Sequence, residues 1–235
     1  TDLERALDRV LMGVERTSAV VPEPVRQMTA FHEGGHALVA LKTPNAMPVH
    51  KATIVPRGHA LGMVQQLPEE KDAMSVSRAQ LLATIDVCMA GRVAEELVFG
   101  MDNVTSGASS DLVKASRIAH DMVAHYGMHG SGPVGFAVVG NASAPETQRI
   151  VDVEGKRILD ESYARVKALL TKHRKELDAI AQLLLDKETV TADELKKAVH
   201  EAGGVVVEKI ERGGIVVPVG VESVSAGAAA EAAAA

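Results

Sequence analysis

Residues 31–41, FHEGGHALVAL, constrain the fold more than any other stretch of this chain. They continue a helical pattern that begins near Val25, and Phe31, Ala37, Leu38, Val39 and Leu41 leave that helix almost no polar face. Such a helix must be wrapped by other elements on several sides. Yet it carries two histidines, a glutamate and two adjacent glycines. Each glycine in a helix interior costs about 1 kcal/mol relative to alanine, and a buried carboxylate beside two imidazoles calls for a cation to satisfy it.

His32, Glu33 and His36 match the pattern H-E-x-x-H. At about 100° per residue, positions i and i+4 of a helix lie about 40° apart, so both imidazoles reach one ion. Glu33 can reach a water held by that ion without ligating it. Two neutral imidazoles, one carboxylate and an open fourth position suit a catalytic zinc. A metzincin is excluded, since it needs glycine at position 39 and histidine at position 42, where this chain has Val39 and Lys42. For the third ligand two sites remain open: the pair Glu95 and Glu96 in GRVAEEL, and Asp111 in TSGASSD. The glutamates could equally pair with Arg92 one helical turn away, and Asp111 could be a helix N-terminal acid favoured by the dipole. Counting from His32, Gly34 falls about 200° away on the back of the helix and Gly35 about 300° away, beside the ligands. Gly35 is therefore expected to serve a close approach to the metal face, and Gly34 to be replaceable.

Other chemistries are excluded by what the chain lacks. There is no G-x-S-x-G elbow, and the one Gly-Lys pair, Gly155 and Lys156, is followed by Arg157 rather than the Ser or Thr of a P-loop. A net charge of −6, three Phe, two Tyr and no Trp argue against nucleic acid as a partner. The same scarcity of aromatics predicts an aliphatic core. Cys88, the sole cysteine, lies in an apolar run and reads as a buried thiol. The other histidines, at positions 50, 59, 120, 125, 129, 173 and 200, are assigned to surface or packing roles.

The fold class expected is mainly α, with one small β-sheet near the H-E-x-x-H helix. Helices are predicted over about 2–12, 25–41, 76–98, 111–127, 148–173, 175–186 and 191–201, the last opened by a capping box from Thr191 to Glu194. Two strands are predicted in KATIVP and ALGMVQQLP, a weak hairpin in the segment after Gly203, and disorder in SAGAAAEAAAA.

Four blocks in order, TAFHEGGHALVA, PVHKATIVPRGHALGMVQQLPEE, GRVAEELVFG and VTSGASSDLVKASRIAHDMVAHYGM, closely resemble the peptidase domain of the FtsH-type ATP-dependent zinc metalloproteases of the AAA protease family. The resemblance runs from about residue 5 to residue 201. It implies one zinc per chain on His32, His36 and Asp111, Glu33 as catalytic acid/base, and Glu95 supporting a ligand. It further implies that Leu61, Gly62, Met63 and Val64 bind an extended substrate, that unfolded or membrane polypeptides are the substrates, and that the whole protein is a homo-hexamer. ATP would act only through an ATPase module outside this chain. The domains implied are 1–22 as the linker from that module, 23–203 as the metallopeptidase and 204–235 as a weakly structured tail. AMPVHKATIVPRG is similar to the mitochondrial i-AAA branch, inner-membrane proteins whose catalytic domains face the intermembrane space; bacterial or plastid membranes are the alternative. The alternative function is a non-catalytic ring-assembly module with a structural or vestigial metal site.

Overall fold

The computed structural model describes residues 9–10, 13–15, 20–58, 60–67, 75–129, 144–207, 209–212 and 215–218. The predicted first helix falls largely outside them, as do most of the loop between positions 127 and 147 and the low-complexity tail.

Helix α1, Glu23–Lys42, begins after Pro22 with Pro24 in its first turn, where a missing N–H is harmless, and with Glu23 at the positive end of its dipole. From Thr29 onward it is buried at nearly every position. It packs against α2, Arg78–Phe99, on one side, and against α5, Arg174–Lys187, on another. A capping box between Ser77 and Gln80 opens α2, and Gly100 at φ 81° ends it. Two short 3-10 turns, Met101–Asn103 and Ser106–Ala108, lead into α3, Ser109–Ala124. Helix α4, Pro145–Lys172, lies across α2 and α3, and α6, Ala192–Glu201, opens with the predicted Thr191–Glu194 capping box. The core is aliphatic as expected: Leu38, Ile85, Ile158, Leu170, Leu177 and Leu184 are all fully buried. No helix among the described residues is long and apolar enough to cross a membrane.

The fold is mainly α with one small sheet, whose antiparallel order is β2–β1–β3 for β1 Val49–Thr53, β2 Met63–Gln66 and β3 Thr189–Thr191. Sequence reasoning predicted only the first two of these. Three residues, Thr-Val-Thr, are too short to show a period, and β3 exists because Val190 finds a fully buried place opposite Ala52. The hairpin after Gly203 forms as β4, Lys209–Arg212, paired with β5, Ile215–Pro218.

The register also fixes which edge of β2 is open. Ile54 N–H donates to the Glu188 carbonyl at 2.9 Å, on the β3 side. Alternation along β1 then turns Ala52 toward β3, and Lys51 and Thr53 toward their partners Gln65 and Met63 on β2. Val64 therefore points its backbone N–H and C=O away from β1, along an edge that no other described strand covers.

Candidate metal centre

Helix α1 holds His32 and His36 one above the other, and each imidazole is oriented through its Nδ1. His32 Nδ1 lies 2.7 Å from Glu95 Oε1, and His36 Nδ1 donates to the Val87 carbonyl at 2.7 Å, both partners coming from α2. The two Nε2 atoms are left facing each other at 3.1 Å. Asp111, in the first turn of α3, brings Oδ2 to 3.5 Å from His32 Nε2 and 3.3 Å from His36 Nε2. Three potential ligand atoms from two helices thus converge within 4.8 Å of one another.

Glu95 is itself held, accepting from Thr105 N–H at 2.8 Å and from its hydroxyl at 3.1 Å. This chain of carboxylate, imidazole and ligand site is how proteins fix the tautomer and aim of a metal-binding histidine. Glu96, the other half of the predicted pair, faces α4 instead, where it accepts from the Tyr163 hydroxyl at 2.7 Å and Lys167 Nζ at 2.9 Å. The candidates that spacing left open are thereby divided: Glu95 bonds His32, Glu96 bridges helices, and Asp111 meets the imidazoles.

Charge at the site favours a cation. Burial opposes a charge on His32, but its contacts with Asp111 and Glu95 and the nearby Glu33 charge outweigh it and push its pKa up to about 10. Asp111, although burial raises its pKa, is held well below the usual carboxylate range by the two imidazoles. Glu95, also raised by burial, is lowered overall by His32 and Thr105. Burial pushes Glu33 up, partly offset by His36 and His32. Three carboxylates around two imidazoles thus favour positive charge here, and a divalent ion supplies more of it than one proton does. The donor set, two histidines and one carboxylate, fits zinc.

The site opens onto a cleft of about 920 Å³ whose walls include Met28, Glu33, Leu61, Gly62, Val64 and Lys114. The sequence-predicted strand residues therefore do meet the motif. A Cβ on Gly62 would fall 2.7 Å from Glu33 Cγ and 2.8 Å from its Oε1, so only glycine lets this backbone rest on the carboxylate. Sequence reasoning missed Thr105, the Val87 carbonyl and Gly91. The signal for the last was present, since a glycine inside α2 is unfavourable unless something must come close.

The two glycines of the motif differ as their angles predict. A Cβ on Gly35 would meet the Ala90 carbonyl oxygen and Ala94 Cβ, each at 2.7 Å, so Gly35 is where the backbones of α1 and α2 touch. A Cβ on Gly34 would meet Ile180 and Leu177 methyl groups at 3.5 Å and the Ala181 backbone nitrogen at 3.7 Å, all ordinary contacts. Gly34→Ala is expected to leave activity intact and to stabilise by about 0.5–1 kcal/mol. Gly35→Ala is expected to destabilise by about 1–3 kcal/mol. Urea denaturation of both variants checks this, and equal shifts would refute the division.

A family model described as Peptidase family M41 matches residues 19–199. The chain is 51% identical over 195 residues to ATP-dependent zinc metalloprotease FTSH 11, chloroplastic/mitochondrial, of Arabidopsis thaliana, an alignment covering 83% of this chain and 24% of that protein. It is 49% identical to the ATP-dependent zinc metalloprotease YME1 homolog of Schizosaccharomyces pombe, over 84% of this chain and 28% of that one. It is 47% identical to ATP-dependent zinc metalloprotease FtsH of Rickettsia conorii, over 83% and 32% respectively. The chain thus spans between about a quarter and a third of the length of these curated relatives. With the family model covering most of its length and the H-E-x-x-H helix at the centre of its fold, the chain belongs to peptidase family M41.

Proposed function

We propose that this chain is the zinc endopeptidase portion of an ATP-dependent, membrane-bound protease, with residues 23–203 as the catalytic unit. The observation that carries this reading is the convergence of His32 Nε2, His36 Nε2 and Asp111 Oδ2 beside the buried carboxylate of Glu33 at the cleft wall. His32, His36 and Asp111 would hold one zinc, with Glu95 and the Val87 carbonyl orienting the imidazoles. Zinc, when bound, supplies Lewis acidity toward a water and a peptide carbonyl.

The remaining work falls to the chain's own groups. Glu33 is placed to accept a proton from the attacking water and to return it to the leaving amine. Its buried setting raises its affinity for that proton, which suits a group that must both take and give. Leu61 through Val64 would hold the substrate as an added strand, its backbone pairing with the open edge at Val64. Backbone pairing is tolerant of side-chain sequence, as cleavage of unfolded or membrane polypeptides requires. Because the Val64 N–H faces that edge and not β1, Val64→Pro is expected to abolish cleavage while zinc content and melting temperature stay as in the wild type. Unchanged cleavage would remove the added-strand geometry.

The resemblance to the relatives supports further parts of the reading. ATP would act through an ATPase module outside these residues, joined through residues 1–22, and 204–235 would be an appended tail. The whole protein would be a homo-hexamer on the mitochondrial inner membrane facing the intermembrane space, or on a bacterial or plastid membrane. The test is zinc content measured beside cleavage of a short, flexible quenched peptide that needs no unfolding. One zinc per chain, and cleavage that a chelator removes and zinc restores, supports the proposal. Zinc without cleavage would favour an assembly module with a structural metal, and absence of zinc would refute the catalytic reading. Glu95→Gln is expected to keep the fold but weaken zinc binding by about 10–100-fold, read by competition with a chelating dye; unaltered affinity would deny Glu95 its supporting role.

A further inference from the structure

The far end of α3 carries a second convergence of metal-ligating groups that the proposed function does not use. His120, Asp121 and His125 each offer a ligand atom, and these atoms lie within 4.8 Å of one another. Both imidazoles turn Nδ1 toward the same oxygen, Asp121 Oδ1, at 3.5 Å from His120 and 3.1 Å from His125. The two rings stand 5.9 Å apart at 61°. The side chains are 53%, 27% and 45% exposed in chain order, so solvent can complete a coordination sphere. Against the other carboxylate oxygen stands Arg117, at 3.9 Å and 84% exposed, a contact too long and too wet to hold the carboxylate.

Sequence spacing hides this cluster. In a regular helix, positions 120 and 125 differ by about 140° and would not share a face. His125 instead occupies the C-cap at φ −117° and ψ −34°, and its N–H and that of Tyr126 both close onto the Asp121 carbonyl at 2.9 and 3.0 Å. Asp121 is the meeting point: His125 follows it by one helical turn and His120 adjoins it in sequence, so both rings reach its Oδ1. The position is also favourable to a cation, since the C-terminal end of a helix carries partial negative charge.

We propose that His120, Asp121 and His125 form a second metal site, a surface site for a borderline divalent transition-metal ion, zinc by its donor set. Two imidazoles and a carboxylate with open positions filled by water suit zinc, and also nickel and copper, while calcium and magnesium prefer oxygen alone. The bound ion would cross-link the last turn of α3 to the residue that ends it. Asp111 lies in the first turn of the same helix, ten residues and about 15 Å from Asp121, so the two sites share no ligand.

The experiment is zinc counting on the whole chain after equilibration with buffered zinc, in the wild type, in His120→Ala/His125→Ala, and in His36→Gln. The expected result is two equivalents in the wild type, one in the double variant and one in His36→Gln, which keeps the surface site. His125→Ala alone is expected to weaken the second equivalent about tenfold or more. Copper added to zinc-loaded wild type should give an electron paramagnetic resonance spectrum with nitrogen couplings that the double variant loses. A second equivalent that survives the double variant, or copper couplings unchanged by it, would overturn the proposal. So would a wild type whose only zinc disappears in His36→Gln. A single equivalent that vanishes in the double variant but not in His36→Gln would instead support this site and refute the catalytic one.

Discussion

Glu33→Gln is expected to retain zinc and fold yet cleave peptides about 10³-fold more slowly, the loss falling on kcat with KM little changed. A positioned general base contributes about 10²–10⁴-fold, and a thousandfold corresponds to about 4 kcal/mol of transition-state stabilisation. The amide keeps the size and the buried place of the carboxylate, which is only 7% exposed. It also removes a group whose charged form burial disfavours, so no stability is forfeited by the exchange. What it cannot do is accept a proton. Steady-state kinetics beside metal analysis separates the outcomes: a variant that cleaves at the wild-type rate would deny Glu33 its role, and one that loses zinc would make it a ligand or a support for one.

Gly91→Ala should do the opposite, abolishing zinc binding while the fold survives. A Cβ there would lie 2.4 Å from His32 Nε2 and 2.6 Å from His36 Nε2, the two atoms proposed to hold zinc. Neither ring can simply swing aside, because His32 is tied to Glu95 and His36 to the Val87 carbonyl, each at 2.7 Å. Moving them breaks those contacts and carries Nε2 away from Asp111. Alanine meanwhile favours the helix by about 1 kcal/mol over glycine, which offsets strain elsewhere in α2. The expected result is a melting temperature within a few degrees of the wild type, with zinc affinity down by about 100-fold or more. Full zinc occupancy in this variant would mean that the imidazoles have freedom the packing does not suggest. Paired with Gly35→Ala, which presses backbone on backbone, it distinguishes a glycine kept for the site from one kept for helix packing.

Much of this was legible in order along the chain. The i,i+4 histidines, the apolar character of the helix around them, the aliphatic core and the Thr191 capping box are local properties, set by side-chain type and helical period. So was the contrast between Gly34 and Gly35, which needed only an angle. The helix boundaries were less legible: α3 begins at Ser109 and not Asp111, and α4 at Pro145. Ends depend on capping contacts that period alone does not reveal. Strand β3 was invisible because its partner lies more than a hundred residues away.

The sequence by itself determined that one buried helix presents two imidazoles on one face with a glutamate beside them, since spacing along a single helix is geometry that no partner can change. Only the tertiary structure decided what meets them. It brought Asp111 rather than Glu96 to the imidazoles, turned Glu95 onto His32, laid Gly62 against Glu33 and Gly91 against both Nε2 atoms, and gathered His120 and His125 on Asp121 at the end of α3. Each of these depends on how separate elements pack, or how a helix ends, and a pairwise spacing in sequence carries no information about either.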